Sequence, residues 1–291
     1  ASNTSDNLTV NQFTIDTTGP VLDNVTNVPT PSSDNTSSYS FNSNEPGDIT
    51  YGGSCESTTS AAVVGTNNIT FNALADNTYN DCTVTVTDNL SNASSLSVNT
   101  FKIDTTDPIV TEVTAVTTPG NDTTPSYTFH STEPGDITYG GSCSSSDNST
   151  SGGNKSIDFR KPNGAVLDEG SYGTGTCTIR VTDGAGNQSN RLDVSSFIID
   201  TTAPTVDSVY PANNQNGVSI TTDNISVTFS EAMDNVTANT SNTSCSGSFQ
   251  LSSDNFNSCV QMSSSPSSSD NMTFELAPSL SLFYSTNYKI R

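Results

Sequence analysis

Phe13-Thr-Ile-Asp-Thr-Thr18, Phe101-Lys-Ile-Asp-Thr-Thr106 and Phe197-Ile-Ile-Asp-Thr-Thr202 are three copies of one phrase, each with a proline two residues further on, at Pro20, Pro108 and Pro204. The copies start 88 and then 96 residues apart. A recurrence at that period describes a string of similar small domains, in which length, surface and joints matter more than one buried cleft.

The 291 residues are only 31% hydrophobic, with Ser, Thr, Asn and Asp dominant. Disorder is a possible outcome of such a composition, but the local patterns oppose it. Tyr39-Ser-Phe41, Thr83-Val-Thr-Val86, Tyr127-Thr-Phe129 and Ile179-Arg-Val181 alternate apolar with polar residues, the period of a half-buried strand. Each module is expected to bury a thin core between two sheets.

Eight Lys and Arg stand against 30 Asp and Glu, a net charge of −22. A nucleic-acid partner needs cations to replace the phosphate counterions, and an anionic membrane surface repels such a chain. Neither nucleic-acid binding nor membrane insertion is expected, and no apolar run reaches spanning length. Metal cations suit the acidic groups; the same charge also keeps an extracellular rod soluble.

The second module shows the strand plan. Pro108 to Val113 reads as a first strand and Ser126 to His130 as a second. Glu133-Pro-Gly-Asp136 reads as a turn, with Pro and Gly in favourable places. Asp136 to Tyr139 begins a third strand, Thr176 to Val181 is a late one, Asp183 to Asn187 a turn, and Leu192 to Phe197 the last strand. The first module repeats this plan from Tyr39-Ser-Phe41 to Phe101. Short strands, regular turns and no helical period describe a β-sandwich.

Six cysteines fall two per module: Cys55 and Cys82, Cys143 and Cys177, Cys245 and Cys259. No C-x-x-C pair is present, and with His130 the single histidine a zinc site has no ligand set. One disulfide per module, and an oxidising compartment, follow. In an immunoglobulin-like strand order, Cys55 closes the third strand and Cys82 opens the penultimate one. They then share one end of adjacent strands, within bonding reach; Cys143 and Cys177 do the same. Closing such a loop stabilises a module by roughly 3–4 kcal/mol in the chain-entropy account. Cys245 and Cys259 are expected to staple a local excursion.

The phrases F-x-I-D-T-T-x-P, Glu133-Pro-Gly-Asp-Ile-Thr-Tyr139 and Val181-Thr-Asp-Gly-Ala-Gly-Asn187 resemble the bacterial Ig-like repeats of large secreted surface proteins and adhesins. Val209 to Val218, Ser226-Val-Thr-Phe-Ser-Glu-Ala-Met-Asp234 and Tyr284 to Ile290 resemble a different relative, the Ig-like domain with an F-S-E-A-M-D signature found in bacterial S-layer and surface proteins. The resemblance implies an all-β chain of tandem immunoglobulin-like β-sandwiches in an extended array, at the bacterial cell surface or outside the cell.

The expected divisions are residues 1–17 as the final strand of a preceding module, 18–105 and 106–201 as the first and second modules, and 202–291 as a third, S-layer-type module lacking its last strand. Ala1 to Phe13 aligns without a gap with the stretch from Ala185, which is why the opening residues read as a last strand. Two accounts stay open: a window cut from a longer array, or an N-terminal strand that completes the third module of another copy.

The strongest candidate site is a set of carboxylates at each joint. Linkers bring Asp16, Asp104 and Asp200. The turn between second and third strands brings Glu45 and Asp48, Glu133 and Asp136, and Glu231 and Asp234, all at E-x-x-D spacing. The turn between the last two strands brings Asp88 and Asp183. Three or four hard oxygen ligands at an interdomain gap suit Ca²⁺, which takes six to eight oxygens in loose geometry. Equally, Asp is favoured in turns because its side chain bonds nearby backbone amides.

No catalytic residues emerge: His130 ends a strand without a nucleophile beside it, and no Trp lines a sugar cleft. No phosphate-binding glycine loop is present. The stretch from Ser144 to Gly170, with Lys155, Arg160 and Lys161, reads as a mobile loop or a module-specific contact surface. The functional expectation is a structural or adhesive stalk segment stiffened at its joints, partnered by further Ig-like modules or copies of itself, with any host, surface or glycan receptor met through other domains. The alternatives are a filament subunit joined by strand donation, and a spacer of a secreted hydrolase.

Overall fold

The computed structural model describes residues 11, 13, 15–219, 225–234, 245–247 and 249–291. Among them every regular element is a β-strand, arranged in two compact units, residues 1–201 and 202–291. Most of the strand expected in residues 1–17 lies outside the described residues.

The first unit holds two separate hydrophobic cores, one within residues 28–103 and one within residues 110–199. The earlier module consists of β1 (Leu22–Thr26), β2 (Ser38–Ser43), β3 (Gly47–Gly52), β4 (Ala61–Ala62), β5 (Gly65–Thr70), β6 (Asn77–Tyr79), β7 (Thr83–Thr87), β8 (Ala93–Ser97) and β9 (Phe101–Ile103). One sheet has the order β1-β2-β5, the other β4-β3-β7-β8, and β6 pairs with β9. Alternation builds the sandwich: Tyr39, Phe41, Ile49, Ile69, Val84 and Val86 point inward and are buried, while their strand neighbours face outward. Each such side chain stabilises the fold by about 1.5–3 kcal/mol on burial.

The later module consists of β10 (Val110–Thr114), β11 (Ser126–Gly141), β12 (Ser149–Asp158), β13 (Gly170–Tyr172), β14 (Cys177–Thr182), β15 (Leu192–Asp193) and β16 (Phe197–Ile199). Its second strand corrects the expected turn at Glu133 to Asp136. The 16-residue β11 runs straight through that stretch. It pairs with β12 from Ser126 to Asp136 and with β14 from Asp136 to Gly141, with an irregularity between Ser131 and Pro134. A proline has no N–H to give to a ladder, so the strand bends there and passes to its other partner, as strands do at sandwich corners.

The glycine of this motif is there for space. A Cβ on Gly135 would lie 2.3 Å from the Thr182 carbonyl oxygen, and one on Gly47 2.3 Å from that of Thr87. Gly53 and Gly141 have φ of 72° and 76°, a left-handed turn that carries the chain from the third strand to its cysteine.

Two further expectations change. The stretch from Ser144 to Gly170 is not a loop throughout: ten of its residues form β12, and Gly152 and Gly153 lie inside that strand. Backbone pairing with β11 supplies the order its polar side chains do not announce. The single last strand also divides. In the earlier module β8 pairs with β7, then β9 crosses to β6. Asn99 marks the crossing: its side chain accepts from the Val28 N–H at 2.9 Å and donates to the Val28 carbonyl at 3.0 Å.

The disulfides are Cys55–Cys82, Cys143–Cys177 and Cys245–Cys259. The first two join the expected neighbouring strand ends, since β3 pairs with β7 and β11 with β14.

The second unit contains β17 (Val206–Tyr210), β18 (Ile225–Phe229), β19 (Leu251–Ser252), β20 (Thr273–Leu276) and β21 (Lys289–Ile290), in sheets β17-β18-β20 and β19-β21. Its core includes Ile225, Phe249, Leu251, Phe274 and Leu276.

Candidate metal centre

Two groups of three carboxylates converge, at corresponding places in the two modules of the first unit. Asp16, Glu45 and Asp88 form one; Asp104, Glu133 and Asp183 form the other. In each, one oxygen from every residue lies within 4.8 Å of the others. Asp88 is buried and the other five are half-buried.

Local structure explains each placement. Asp104 directly follows β9, and its N–H donates to the Ser32 carbonyl at 2.9 Å. Glu45 and Glu133 sit where the chain leaves one sheet for the other. The Ser43 hydroxyl donates to the Glu45 carbonyl at 2.6 Å and the Ser131 hydroxyl to the Glu133 carbonyl at 2.7 Å. Asp88 and Asp183 open the turns after β7 and β14. Asp88 accepts at Oδ1 from the N–H groups of Leu90 and Asn92, and at Oδ2 from the Asn92 amide. Asp183 accepts in the same way from Ala185 and Asn187.

Electrostatics differ between the acids. The Asn92 side-chain amide and nearby backbone N–H groups hold the Asp88 carboxyl below the usual carboxylate range, against a smaller effect of burial. Glu133 is pushed the other way, first by burial and then by the charges of Asp104 and Asp183. Lys102 partly offsets this. Its ammonium donates to Asp104 Oδ2 at 2.8 Å, and that bond raises the Lys102 pKa. The corresponding phrase position upstream is Thr14, which carries no charge. The second cluster thus has a cation beside it from a phrase position that is uncharged at the first.

Asp48 and Asp136 stand outside both groups. Their immediate strand neighbours Ile49 and Ile137 are buried, so these acids fall on the outward, exposed face. Asp200 belongs to the first unit, where its N–H donates to the Gly120 carbonyl at 2.9 Å, matching Asp104 and Ser32. Glu231 and Asp234 belong to the second unit.

Several residues of the joint have no place in the spacing argument. The Asn187 amide donates to the Asp104 carbonyl at 2.7 Å, and that of Asn92 to the Asp16 carbonyl at 3.4 Å. Asp76 Oδ1 accepts from the Thr105 N–H at 3.0 Å and hydroxyl at 2.8 Å, and Oδ2 from the Thr106 hydroxyl at 2.8 Å. Glu169 holds Thr201 in the same manner. Only the two asparagines carry a signal in the sequence: D-x-x-x-N recurs at Asp88 to Asn92 and at Asp183 to Asn187. Gly184 lies against the preceding module, since a Cβ there would meet Pro31 Cγ at 3.6 Å.

Residues 200–291 match the family described as a bacterial Ig-like domain. No curated protein matches the chain. Among solved structures, a Salmonella alpha-2-macroglobulin mutant aligns at 9% identity and a TM-score of 0.16, over 96% of this chain and 21% of that one. The chain thus spans about a fifth of that protein's length, and a likeness this slight carries no structural argument.

Proposed function

We propose that this chain is a stalk segment of a bacterial surface or secreted protein, its joints stiffened by Ca²⁺. The observation that carries this reading is the recurrence of one constellation, linker Asp, crossover Glu and turn Asp, at the same place in two successive modules. Six cysteines, all in disulfides, support the extracellular setting.

The donors fit the ion. All are hard carboxylate oxygens, and each cluster leaves room in the coordination count for water, as Ca²⁺ tolerates. Without a cation the three carboxylates repel one another, which is the cause of part of the upward shift at Glu133. When bound, the ion would tie the linker to the two loops of the following module. That module could then no longer swing about the D-T-T linker. The role is mechanical: to space and orient whatever other domains present to a host, surface or glycan receptor. A hydrolase spacer would use the same mechanics but needs a catalytic domain outside these residues.

Titration calorimetry with CaCl₂, paired with small-angle scattering, tests the reading. Saturable binding should coincide with a narrower distribution of end-to-end distances. Unchanged scattering in calcium and in chelator, or no binding heat at millimolar calcium, would remove the mechanism.

A further inference from the structure

The D-T-T phrases at 104–106 and 200–202 are gripped by the module behind them. In the linker after β9, the Thr105 N–H and hydroxyl both donate to Asp76 Oδ1, at 3.0 and 2.8 Å, and the Thr106 hydroxyl donates to Asp76 Oδ2 at 2.8 Å. In the linker after β16, the Thr201 N–H and hydroxyl both donate to Glu169 Oε2, at 3.1 and 2.5 Å. The same geometry therefore occurs twice. One carboxylate oxygen takes the N–H and the hydroxyl of the first threonine, which lie close together on that residue.

The loops that present the two acids are themselves fixed. Asp76 and Glu169 stand immediately before β6 and β13, three residues ahead of Tyr79 and Tyr172. The Tyr79 hydroxyl donates to the Ala75 carbonyl at 2.8 Å, and the Tyr172 hydroxyl to the Asp168 carbonyl at 3.1 Å. Each ring in turn stacks on the phenylalanine that opens the phrase. Tyr79 meets Phe101 at 5.3 Å between ring centres, and Tyr172 meets Phe197 at 4.8 Å. Between those contacts β6 pairs with β9 and β13 with β16. One short loop thus holds the phrase at its aromatic end and at its threonine end.

We infer that Asp76 and Glu169 are latches: each locks the linker threonine to the module behind, so that the joint is stiff on that side with no metal bound. The inference rests on the stalk reading and divides the work of the linker between neighbouring residues. The Asp104 carboxylate faces Glu133 and Asp183 of the module ahead, while Thr105 and Thr106 reach back to Asp76. The latch atoms are separate from the oxygens of that carboxylate group. The Thr105 and Thr106 hydroxyls, more than the Thr105 N–H, hold the Asp76 carboxyl below its ordinary range. The charged form is therefore the resident one, and bonds to a charged acceptor are the stronger kind.

NMR relaxation and amide exchange on the 291-residue chain in chelator test the latch. The Thr105 amide should be protected, and residues 28–103 and 110–199, each with its own core, should tumble as one body. In Asp76→Ala, and separately in Thr105→Val/Thr106→Val, the Thr105 amide should exchange at least about fivefold faster. The two halves should then tumble with separate correlation times while both cores stay protected. Glu169→Ala should speed exchange at Thr201 to a similar degree. Asp81→Ala removes another exposed acid, one that bonds Ser54 within its own module, and should change neither reading. Independent tumbling of the unaltered chain in chelator overturns the inference, since the joint then needs a cation. So does unchanged exchange or unchanged tumbling in both latch variants, or equal loosening in Asp81→Ala. Calcium plays no part in these readings, so failure of the latch and failure of the calcium mechanism are told apart.

Discussion

The Asn187 side chain donates to the Asp104 backbone carbonyl at 2.7 Å across 83 residues of sequence. The same amide also donates to Asp183 Oδ2 at 2.8 Å. One asparagine therefore fastens the linker entering the second module to the turn that carries that module's own carboxylate. Replacing Asn187 with Ala should cost about 0.5–1.5 kcal/mol for each bond lost. Hydrogen exchange should show faster opening at Thr105 and Asp183 while the cores stay protected; unchanged exchange there would mean that the linker is held by other contacts.

The pH response of the metal-free chain has two limbs. Glu133 has a folded pKa above its ordinary 4.5, so ionising it opposes folding, and stability should fall as pH rises through that value. Asp88 has a folded pKa below its ordinary 3.8, so its contribution is present above 3.8 and is lost as pH drops through the lower value. Thermal melts from pH 2.5 to 7 should therefore pass through a maximum in between. Glu133→Gln should flatten the upper limb and leave the lower one in place.

Gly47 and Gly135 should resist even the smallest enlargement. An alanine methyl would meet a backbone carbonyl at 2.3 Å, a contact that only backbone movement relieves. Overpacking of this kind costs about 1–3 kcal/mol. Urea melts of the two alanine variants should show losses in that range, whereas alanine at Gly164, where nothing lies within 4 Å but φ is +83°, should lose less than about 2 kcal/mol from backbone strain alone.

Tyr39 and Tyr127 occupy equivalent buried positions with different hydrogen bonding. The Tyr127 hydroxyl donates to Glu112 Oε2 at 3.0 Å, and burial together with that carboxylate pushes its pKa well up. The Tyr39 hydroxyl is buried with no hydrogen-bond partner among the described residues, and Asn24 stands where the later module has Glu112. Tyr127→Phe should destabilise by about 1.5–3 kcal/mol, the range for a bond to a charged group. Tyr39→Phe should be neutral or stabilising. Equal losses at both sites would show that the ring's fit, not its hydroxyl, decides.

Repetition made most of the sandwich legible. Alternating pairs such as Tyr39 and Phe41 mark inward faces, and the cysteine positions agreed with an immunoglobulin-like order that sets β3 beside β7. The carboxylate groups were legible because Asp16, Glu45 and Asp88 recur together as Asp104, Glu133 and Asp183. Asp48 and Asp136 were grouped with them because three residues in a supposed turn stay close together. Along a strand the same interval leads away onto the solvent face. The motif at Glu133 was misread since Pro and Gly also serve a strand crossing between sheets, where one lacks a donor and the other lacks a Cβ. Asp76 and Glu169 escaped notice because their partners, Thr105 and Thr201, lie about thirty residues away and meet them only once β6 pairs with β9 and β13 with β16.

The cross-links also limit how far a tethered chain can lengthen. Cys55 and Cys82 close 27 residues, and Cys143 and Cys177 close 34. At 3.3–3.6 Å per residue, about 90 Å and about 115 Å of contour are withheld when either module is pulled apart from its ends. A single molecule drawn out under oxidising conditions should give short, capped rips that lengthen by those amounts once a reductant is added. Anything anchored by such a tether would feel a tightening leash rather than a chain paying out to full length.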